Sequence, residues 1–128
     1  MTDILDGPVL VRARPPGPAA RSIISIDDLT GPDLTALVDR GVQFAAGASA
    51  RALGGLVTGI HFSKPSTRTR TAFSAGALRL GSGVIAYGPG DLQLSTGETH
   101  EDTARVLSGM LDVLVMRTAE DEAIMRGY

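Results

Sequence analysis

The sequence predicts an α/β domain built on a parallel sheet that is covered by helices on both faces. Two features of its 128 residues support this prediction. Short apolar stretches alternate along the chain with longer segments in which apolar residues recur at helical spacing. The composition, with 43% hydrophobic and 20% charged residues, is that of a globular chain, and 16 Gly and 7 Pro indicate many turns. A chain of this length forms one domain at most.

The N-terminal third of the chain contains one well-marked helix. Residues 1–21 are expected to be an irregular tail or first element, because four prolines interrupt any regular pattern there. A short β-branched stretch follows at 22–26. From Asp33 onward the apolar residues recur at helical spacing, Thr30 is a suitable N-cap, and Pro32 lies in the first turn, where its missing N–H costs nothing. These signals predict an amphipathic helix.

The middle of the chain follows a strand, turn and helix pattern. The apolar composition of residues 56–62 predicts a buried strand, and a turn rich in serine and proline is expected to lead into a helix over 68–80. Gly81 and Gly83 end this helix. A second strand is expected at 84–87.

The last part of the chain starts with a long loop at 88–97, whose three glycines allow tight turns. A loop of this length inside a compact domain is usually functional. Thr99 is predicted to cap the next helix, which leads to a strand at 112–116, and a final helix is expected to begin near Ala119. That helix has no stop signal before Tyr128.

The composition excludes several classes of protein. The net charge of −2 gives no electrostatic footprint for nucleic acid or an anionic membrane. No apolar run is long enough to span a bilayer, and the N-terminus lacks the layout of a signal peptide, so we expect a soluble, cytoplasmic protein. Without cysteine there is neither a disulfide framework nor a thiolate metal site. Of the 12 cationic residues 11 are Arg, and the single lysine is Lys64.

The turn after the first predicted strand concentrates groups that bind anions. Three hydroxyls and two guanidinium groups occupy five consecutive residues: Ser66, Thr67, Arg68, Thr69 and Arg70. They fall at a helix N-terminus beyond the carboxyl end of a parallel strand, where open sheets bind ligands and the helix dipole favours an anion. A phosphate suits this chemistry.

A purely structural role for the turn, or a different ligand, fits its residues less well. For a Ser-Thr-Arg string alone, an ordinary N-cap followed by solvated arginines is the favoured interpretation. The whole run at 62–70 (FSKPSTRTR) reverses that preference. A nucleic-acid patch would need further basic or aromatic residues around it, and a phosphate loop of the Walker type would need a glycine-rich stretch followed by Lys-Ser or Lys-Thr.

Three motifs in order resemble one family. FSKPSTRTR, then PGDLQLSTGETHEDTARVL, then VMRT are similar to the N-terminal, carbamoyl-phosphate-binding domain of the ornithine and aspartate carbamoyltransferases. The ornithine branch is closer, because Lys64-Pro65 before STRTR and the DTARVL string resemble that branch. The resemblance runs from about Ile24 to the end of the chain and implies a carbamoyl-phosphate-binding domain over 22–128.

The resemblance implies a reaction and roles for five residues. The family transfers the carbamoyl group of carbamoyl phosphate to an amino-acid amine through a tetrahedral intermediate, which gives citrulline and phosphate when ornithine is the acceptor. By similarity, Ser66, Thr67 and Arg68 would hold the phosphate, with Arg68 also near the bridging oxygen. Thr69 and Arg117 would polarise the carbonyl. Arg117 also follows a predicted strand and so emerges at the same sheet edge, although by itself it is an ordinary surface arginine.

The resemblance also implies partners. Gln93 matches a glutamine that the family lends to the site of a neighbouring subunit, which implies a homotrimer. The implied substrates are carbamoyl phosphate and an amino acid, as in arginine biosynthesis, and no cofactor or metal is implied. The two histidines fit this, because His61 is expected to be a partly buried, hydrogen-bonded strand residue and His100 a solvated one, with no carboxylate cluster at ligand spacing.

Departures from the family pattern leave alternatives open. Ser63 and Ser74 stand where glutamates are common in the ornithine branch, and Thr96 where a basic residue is typical. A glutamate at 74 could pair with Arg70 one helical turn away, whereas Ser74 cannot. These differences leave two alternatives to an unaltered enzyme, a paralogue that carbamoylates another amine and a protein of weakened function.

The chain lacks parts of the family's site. It has no His-Pro-x-Gln motif, no second, amino-acid-binding domain and no catalytic cysteine motif. We therefore expect a fragment of a longer enzyme, incomplete at the C-terminal end of its domain and inactive alone. The alternative is a stand-alone carbamoyl-phosphate- or phosphate-binding pseudoenzyme. The acceptor amine cannot be predicted from this half.

Overall fold

The computed structural model describes residues 22–92 and 97–127. Its helices are α1 (Gly31–Ala45), α2 (Thr67–Arg79), α3 (His100–Ser108) and α4 (Glu122–Met125), and its strands are β1 (Val57–Phe62), β2 (Gly83–Tyr87) and β3 (Val113–Arg117). The three strands are parallel in the order β2-β1-β3. The predicted strands and the three longer helices are confirmed to within two residues at their N-termini, and the last helix begins at Glu122 rather than near Ala119. No helix in the described ranges is long and apolar enough to cross a membrane.

The first described residues form a single turn of 3-10 helix, Ile26–Asp28, and the β-branched stretch before it is not a strand. The reason is local hydrogen bonding. The Asp28 carboxylate accepts the backbone N–H groups of Ile24 at 2.8 Å and Ser25 at 2.9 Å, and the Ser25 hydroxyl accepts the N–H of Asp27. Side-chain acceptors of this kind offer the backbone an alternative to a sheet ladder.

Helix α1 begins as the sequence predicts. The Thr30 hydroxyl accepts the N–H of Asp33, and the Asp33 carboxylate accepts the N–H of Thr30, so each residue satisfies a donor of the other. None of the helix residues is buried, however, and the apolar side chains of Leu37, Val38 and Val42 are each more than half exposed. The helical periodicity therefore identified the element, although its apolar stripe faces solvent in this chain.

The two faces of the sheet are covered by different helices. On one face Thr58 of β1 and Val113 of β3 border an apolar groove with residues of α2. On the other face Leu107 of α3 forms a core with Leu92 and Leu111, against which Val57 and Leu114 pack. Helices on both faces are thus confirmed. A connection from β2 to β3 that passes β1 places α3 opposite α2 because such crossovers are right-handed.

One glycine allows α3 and its following residues to approach the sheet. A Cβ at Gly59 would lie 2.4 Å from Cδ1 of Leu111 and 3.3 Å from Cδ1 of Leu114. Because Gly59 has no side chain, the central strand leaves room at this position for the leucines that complete the core.

The two ends of the described chain are joined by an ion pair. The Arg126 guanidinium donates to Asp28 at 2.9 Å and to Glu122 at 2.6 Å. The pKa of the Asp28 carboxyl is lowered to about 2, first by the backbone N–H groups of Ser25 and Ile24 and then by Arg126. The carboxylate is stabilised in the folded state more than in the unfolded chain.

This carboxylate predicts a pH dependence of stability. The pKa of Asp28 is about 2 in the folded chain and 3.8 in its ordinary state. Its contribution to the free energy of unfolding is therefore fully present above pH 3.8 and is lost as the pH falls through 2. We expect Asp28→Asn to lose stability at neutral pH and to show a shallower decline of unfolding free energy between these two pH values. Urea denaturation across this range measures both slopes, with Asp27→Asn as the matched control. A variant slope equal to that of the unaltered chain would contradict the prediction.

Candidate functional site

The turn between β1 and α2 leaves hydrogen-bonding groups available at a helix start. Ser66 is the N-cap, with extended backbone (φ −154°, ψ 107°), but its hydroxyl does not cap its own helix. The N-cap hydroxyls of Thr30 and Thr99, by contrast, both accept a backbone N–H of their own helix. The Ser66 hydroxyl and the first N–H groups of α2 therefore lie together at one helix start, which is a suitable place for an acceptor-rich ligand.

The local sequence explains why the helix starts here. Pro65 disfavours helical backbone at Lys64, so α2 cannot extend backwards toward β1. Strand β1 ends at Phe62, which is 1% exposed and anchors the turn to the core. The hydroxyl and guanidinium groups are thus held just beyond the carboxyl end of the central strand.

Arg117 lies beside this turn, at the end of the neighbouring strand. Phe62 of β1 is in register with Arg117 of β3, and the Ser63 N–H donates to the Arg117 carbonyl oxygen at 3.1 Å. The Ser63 hydroxyl donates to the same oxygen at 3.4 Å. Between the two strand ends is an open cavity of about 130 Å³, lined by Ser63, Lys64, Arg117, Thr118 and Ala119.

The charged side chains of the turn and of the neighbouring strand end are cationic. Lys64, Arg68, Arg70 and Arg117 are exposed, and none of them forms an ion pair with a carboxylate of the described residues. The first turn of α2 contains no acidic residue. Four cations near the positive end of a helix dipole, without neutralising carboxylates among these residues, favour the binding of an anion.

The structure brings together most of the predicted site residues. Ser66, Thr67, Arg68 and Thr69 occupy the N-cap and first turn of α2, and Arg117 ends the adjacent strand. Gln93 and Thr96, the loop residues singled out in the sequence, lie outside the described residues. Of the other two departures from the family pattern, Ser74 lies half-buried further along α2, and Ser63 contacts the backbone of Arg117.

Three residues near the site were missed in the sequence. Thr118 and Ala119 line the cavity because β3 ends next to β1, a consequence of strand register that the motifs do not show. Asp91 organises the start of the long loop, since its carboxylate accepts the Gly88 N–H at 2.5 Å. The Gly-Pro-Gly-Asp string, typical of a turn closed by an aspartate side chain, was the available signal.

The histidines differ from expectation in two ways. His61 is buried at 5% exposure, and its Nδ1 has no hydrogen-bond partner among the described residues, so the expectation of a hydrogen-bonded imidazole is wrong for that nitrogen. His100 is half-buried rather than solvated. In the part of the chain that the structure describes, no group of three His, Cys, Asp or Glu side chains could hold a metal ion.

Comparisons with known proteins identify the family of this domain. Residues 21–126 match the model of the aspartate/ornithine carbamoyltransferase carbamoyl-phosphate-binding domain. The chain is 43% identical over 100 residues to an ornithine carbamoyltransferase of Haloquadratum walsbyi, covering 78% of this chain and 33% of that protein. A Cenarchaeum symbiosum ornithine carbamoyltransferase is 43% identical over 109 residues, covering 80% of this chain and 36% of the relative.

Solved structures show the same relationship. Anabolic ornithine carbamoyltransferase from Campylobacter jejuni superimposes with a TM-score of 0.76 at 29% identity, over 84% of this chain and 35% of its own. Aspartate transcarbamoylase from Trypanosoma cruzi, in complex with carbamoyl aspartate and phosphate, has a TM-score of 0.68 at 32% identity, over 84% and 36%. The chain therefore spans about a third of the length of the proteins it matches.

Proposed function

The chain belongs to the aspartate/ornithine carbamoyltransferase family, and we propose that residues 22–128 are the carbamoyl-phosphate-binding domain of an ornithine-type carbamoyltransferase. The observation that carries this proposal is the α2 N-terminus. Its N-cap hydroxyl, that of Ser66, is not used by its own helix, and four cations nearby have no carboxylate partner among the described residues. Carbamoyl phosphate is a small dianion whose phosphate suits such a site. The cytoplasmic location stays a prediction.

We infer the phosphate contacts from the order of residues on α2. Ser66 and Thr67 would offer hydroxyl and backbone donors to the phosphate oxygens, and Arg68 would add a forked, charge-assisted contact that reaches the bridging oxygen. These groups are fixed by the helix before the ligand arrives. They would therefore stabilise the charge that accumulates on phosphate as it leaves.

The carbonyl side of the ligand would face the end of β3. Arg117 and Thr69 would donate to the carbonyl oxygen, which becomes negative when the amine nitrogen of the acceptor attacks the carbonyl carbon. Collapse of the tetrahedral intermediate breaks the bond between that carbon and the bridging oxygen. The products are a carbamoylated amine and inorganic phosphate, and the proton that the amine nitrogen loses passes to the phosphate, directly or through solvent. The hydrogen bond from the Ser63 N–H to the Arg117 carbonyl oxygen helps to hold the end of β3 beside the turn.

The remaining substrate and subunit contacts belong to the whole protein. We propose that the acceptor is ornithine, that the assembly is a homotrimer, and that Gln93 serves the site of a neighbouring subunit. The support for these three points is the likeness of the motifs to the ornithine branch. Ser63 and Ser74 favour a second candidate, a paralogue with another acceptor amine.

Calorimetry with the 128-residue chain tests the proposal. We expect saturable binding of carbamoyl phosphate at pH 8, competed by inorganic phosphate and weakened by salt because the contacts are ionic. The proposal would be contradicted if neither carbamoyl phosphate nor inorganic phosphate bound to the chain. Steady-state assays of the protein encoded by the complete reading frame then separate the candidates. Citrulline formation from ornithine supports the ornithine-type enzyme, and carbamoylation of another amine supports the paralogue. Binding of carbamoyl phosphate without transfer indicates a binding module.

A further inference from the structure

The layer between the sheet and α3 contains a buried histidine that the proposed reaction does not use. In β1, Val57 and Gly59 face the α3 side, so His61, two residues further on, shares that face. It is 5% exposed, and its Nδ1 has no hydrogen-bond partner among the described residues. An unpartnered polar atom at this depth is costly, which suggests a role other than packing.

His61 adjoins the start of the long loop. Its register partner on β2 is Tyr87, the residue before Gly88, and both Tyr87 and Leu92 pack in the core on the α3 side. Residues 88–92, which we call the Gly88 turn, therefore begin and end against this layer. Within the turn the Asp91 carboxylate accepts the Gly88 N–H at 2.5 Å.

The charged groups around His61 are few in the described part of the chain. Its register partners are Tyr87 of β2 and Met116 of β3, and helix α3 on the same side of the sheet buries Thr103, Ala104 and Leu107. Burial lowers the pKa of His61, and the Asp91 carboxylate opposes that shift. Asp91 is exposed beside this layer, and its carboxylate is hydrogen-bonded to Gly88, the residue after the register partner of His61. It is therefore the acidic group that a protonated imidazole would attract.

We propose that His61 is a positioning residue for the Gly88 turn, which keeps its Gly88 to Asp91 hydrogen bond only while the imidazole is neutral. Protonation places a new charge in this buried layer, where the Nδ1 has no partner among the described residues, so the imidazolium competes with the Gly88 N–H for the Asp91 carboxylate. The functional consequence rests on the proposed function. The turn leads to Gln93, and Arg70 lies beside it, with Nη1 4.0 Å from the position of a Cβ at Gly88.

An NMR titration of the 128-residue chain tests this proposal without any ligand. We expect the Gly88 amide resonance to move in a step that coincides with protonation of the His61 ring, with a midpoint below 6.5. The step should vanish in His61→Phe and persist in His100→Gln, which removes the other histidine. The proposal would be overturned if the Gly88 amide resonance did not shift when His61 is protonated, or if the same step appeared in His61→Phe.

A second variant covers the case in which His61→Phe does not fold. Asp91→Asn leaves both histidines in place, and we expect it to lower the midpoint of the His61 ring titration and to remove the step at Gly88. An unchanged midpoint would overturn the proposal. Because the titration contains no carbamoyl phosphate, its failure would leave the calorimetric test of the proposed function intact.

Discussion

Replacing Arg68 by alanine is expected to weaken binding of carbamoyl phosphate to the chain by about 10- to 150-fold. The reason is that a charge-assisted hydrogen bond contributes about 1.5 to 3 kcal/mol, and alanine removes the charge as well as the forked donors. Arg68 occupies the first turn of α2, where the helix dipole acts in the same direction. Isothermal titration calorimetry at constant ionic strength measures the loss.

The same helix offers a matched control. Arg79 is also exposed and ends α2, twelve residues from its start, so Arg79→Ala removes an equal charge without touching the turn. We expect its affinity to remain within about twofold of the unaltered chain, because screening at physiological salt weakens long-range attraction. Equal losses in the two variants would mean that net charge, and not the α2 N-terminus, binds the anion.

Replacing Gly59 by valine is expected to destabilise the fold by about 3 kcal/mol, the largest change in stability that we predict. A Cβ at this position meets Leu111 at 2.4 Å, and a branched side chain would force the leucine away from β1. Gly59→Ala should cost less, about 1 to 2 kcal/mol, because the tip of one leucine can move. Urea denaturation measures both values.

A second glycine provides the control for these variants. Gly41 lies inside α1, and a Cβ there would have no neighbour within 4 Å. Gly41→Ala should stabilise the chain by about 0.5 to 1 kcal/mol, since alanine is the better helix former. A loss of stability at Gly41, or none at Gly59, would contradict the packing described for β1.

The parts of the fold that depend on neighbouring residues were predictable from the sequence. Thr30 and Thr99 cap the helices for which they were proposed, and the turn at Ser66 starts α2 as expected. Arg117 was expected at the same sheet edge as that turn, because parallel strands end together there. The family that the three motifs resemble is the one whose carbamoyl-phosphate-binding domain matches residues 21–126.

Features that depend on distant residues were not predictable. The ion pair between Asp28 and Arg126 joins positions 98 residues apart, and no local pattern announces it. The apolar period of α1 predicted a helix but not that its stripe would be exposed, since periodicity describes one element and not what packs against it. That the His61 Nδ1 has no partner among the described residues likewise depends on which residues pack around β1.

The sequence by itself determined which segments are helices and strands and where the three longer helices start, and it predicts that the start of α2 binds an anion. Capping and the helix dipole act over about four residues, so they can be deduced from consecutive positions. Only the tertiary structure decided that β1 lies between β2 and β3, that Phe62 is in register with Arg117, and that His61 is buried beside the Gly88 turn. Strand order and register depend on how side chains from distant segments pack together, as Leu111 does over Gly59, and that information is spread over the whole chain.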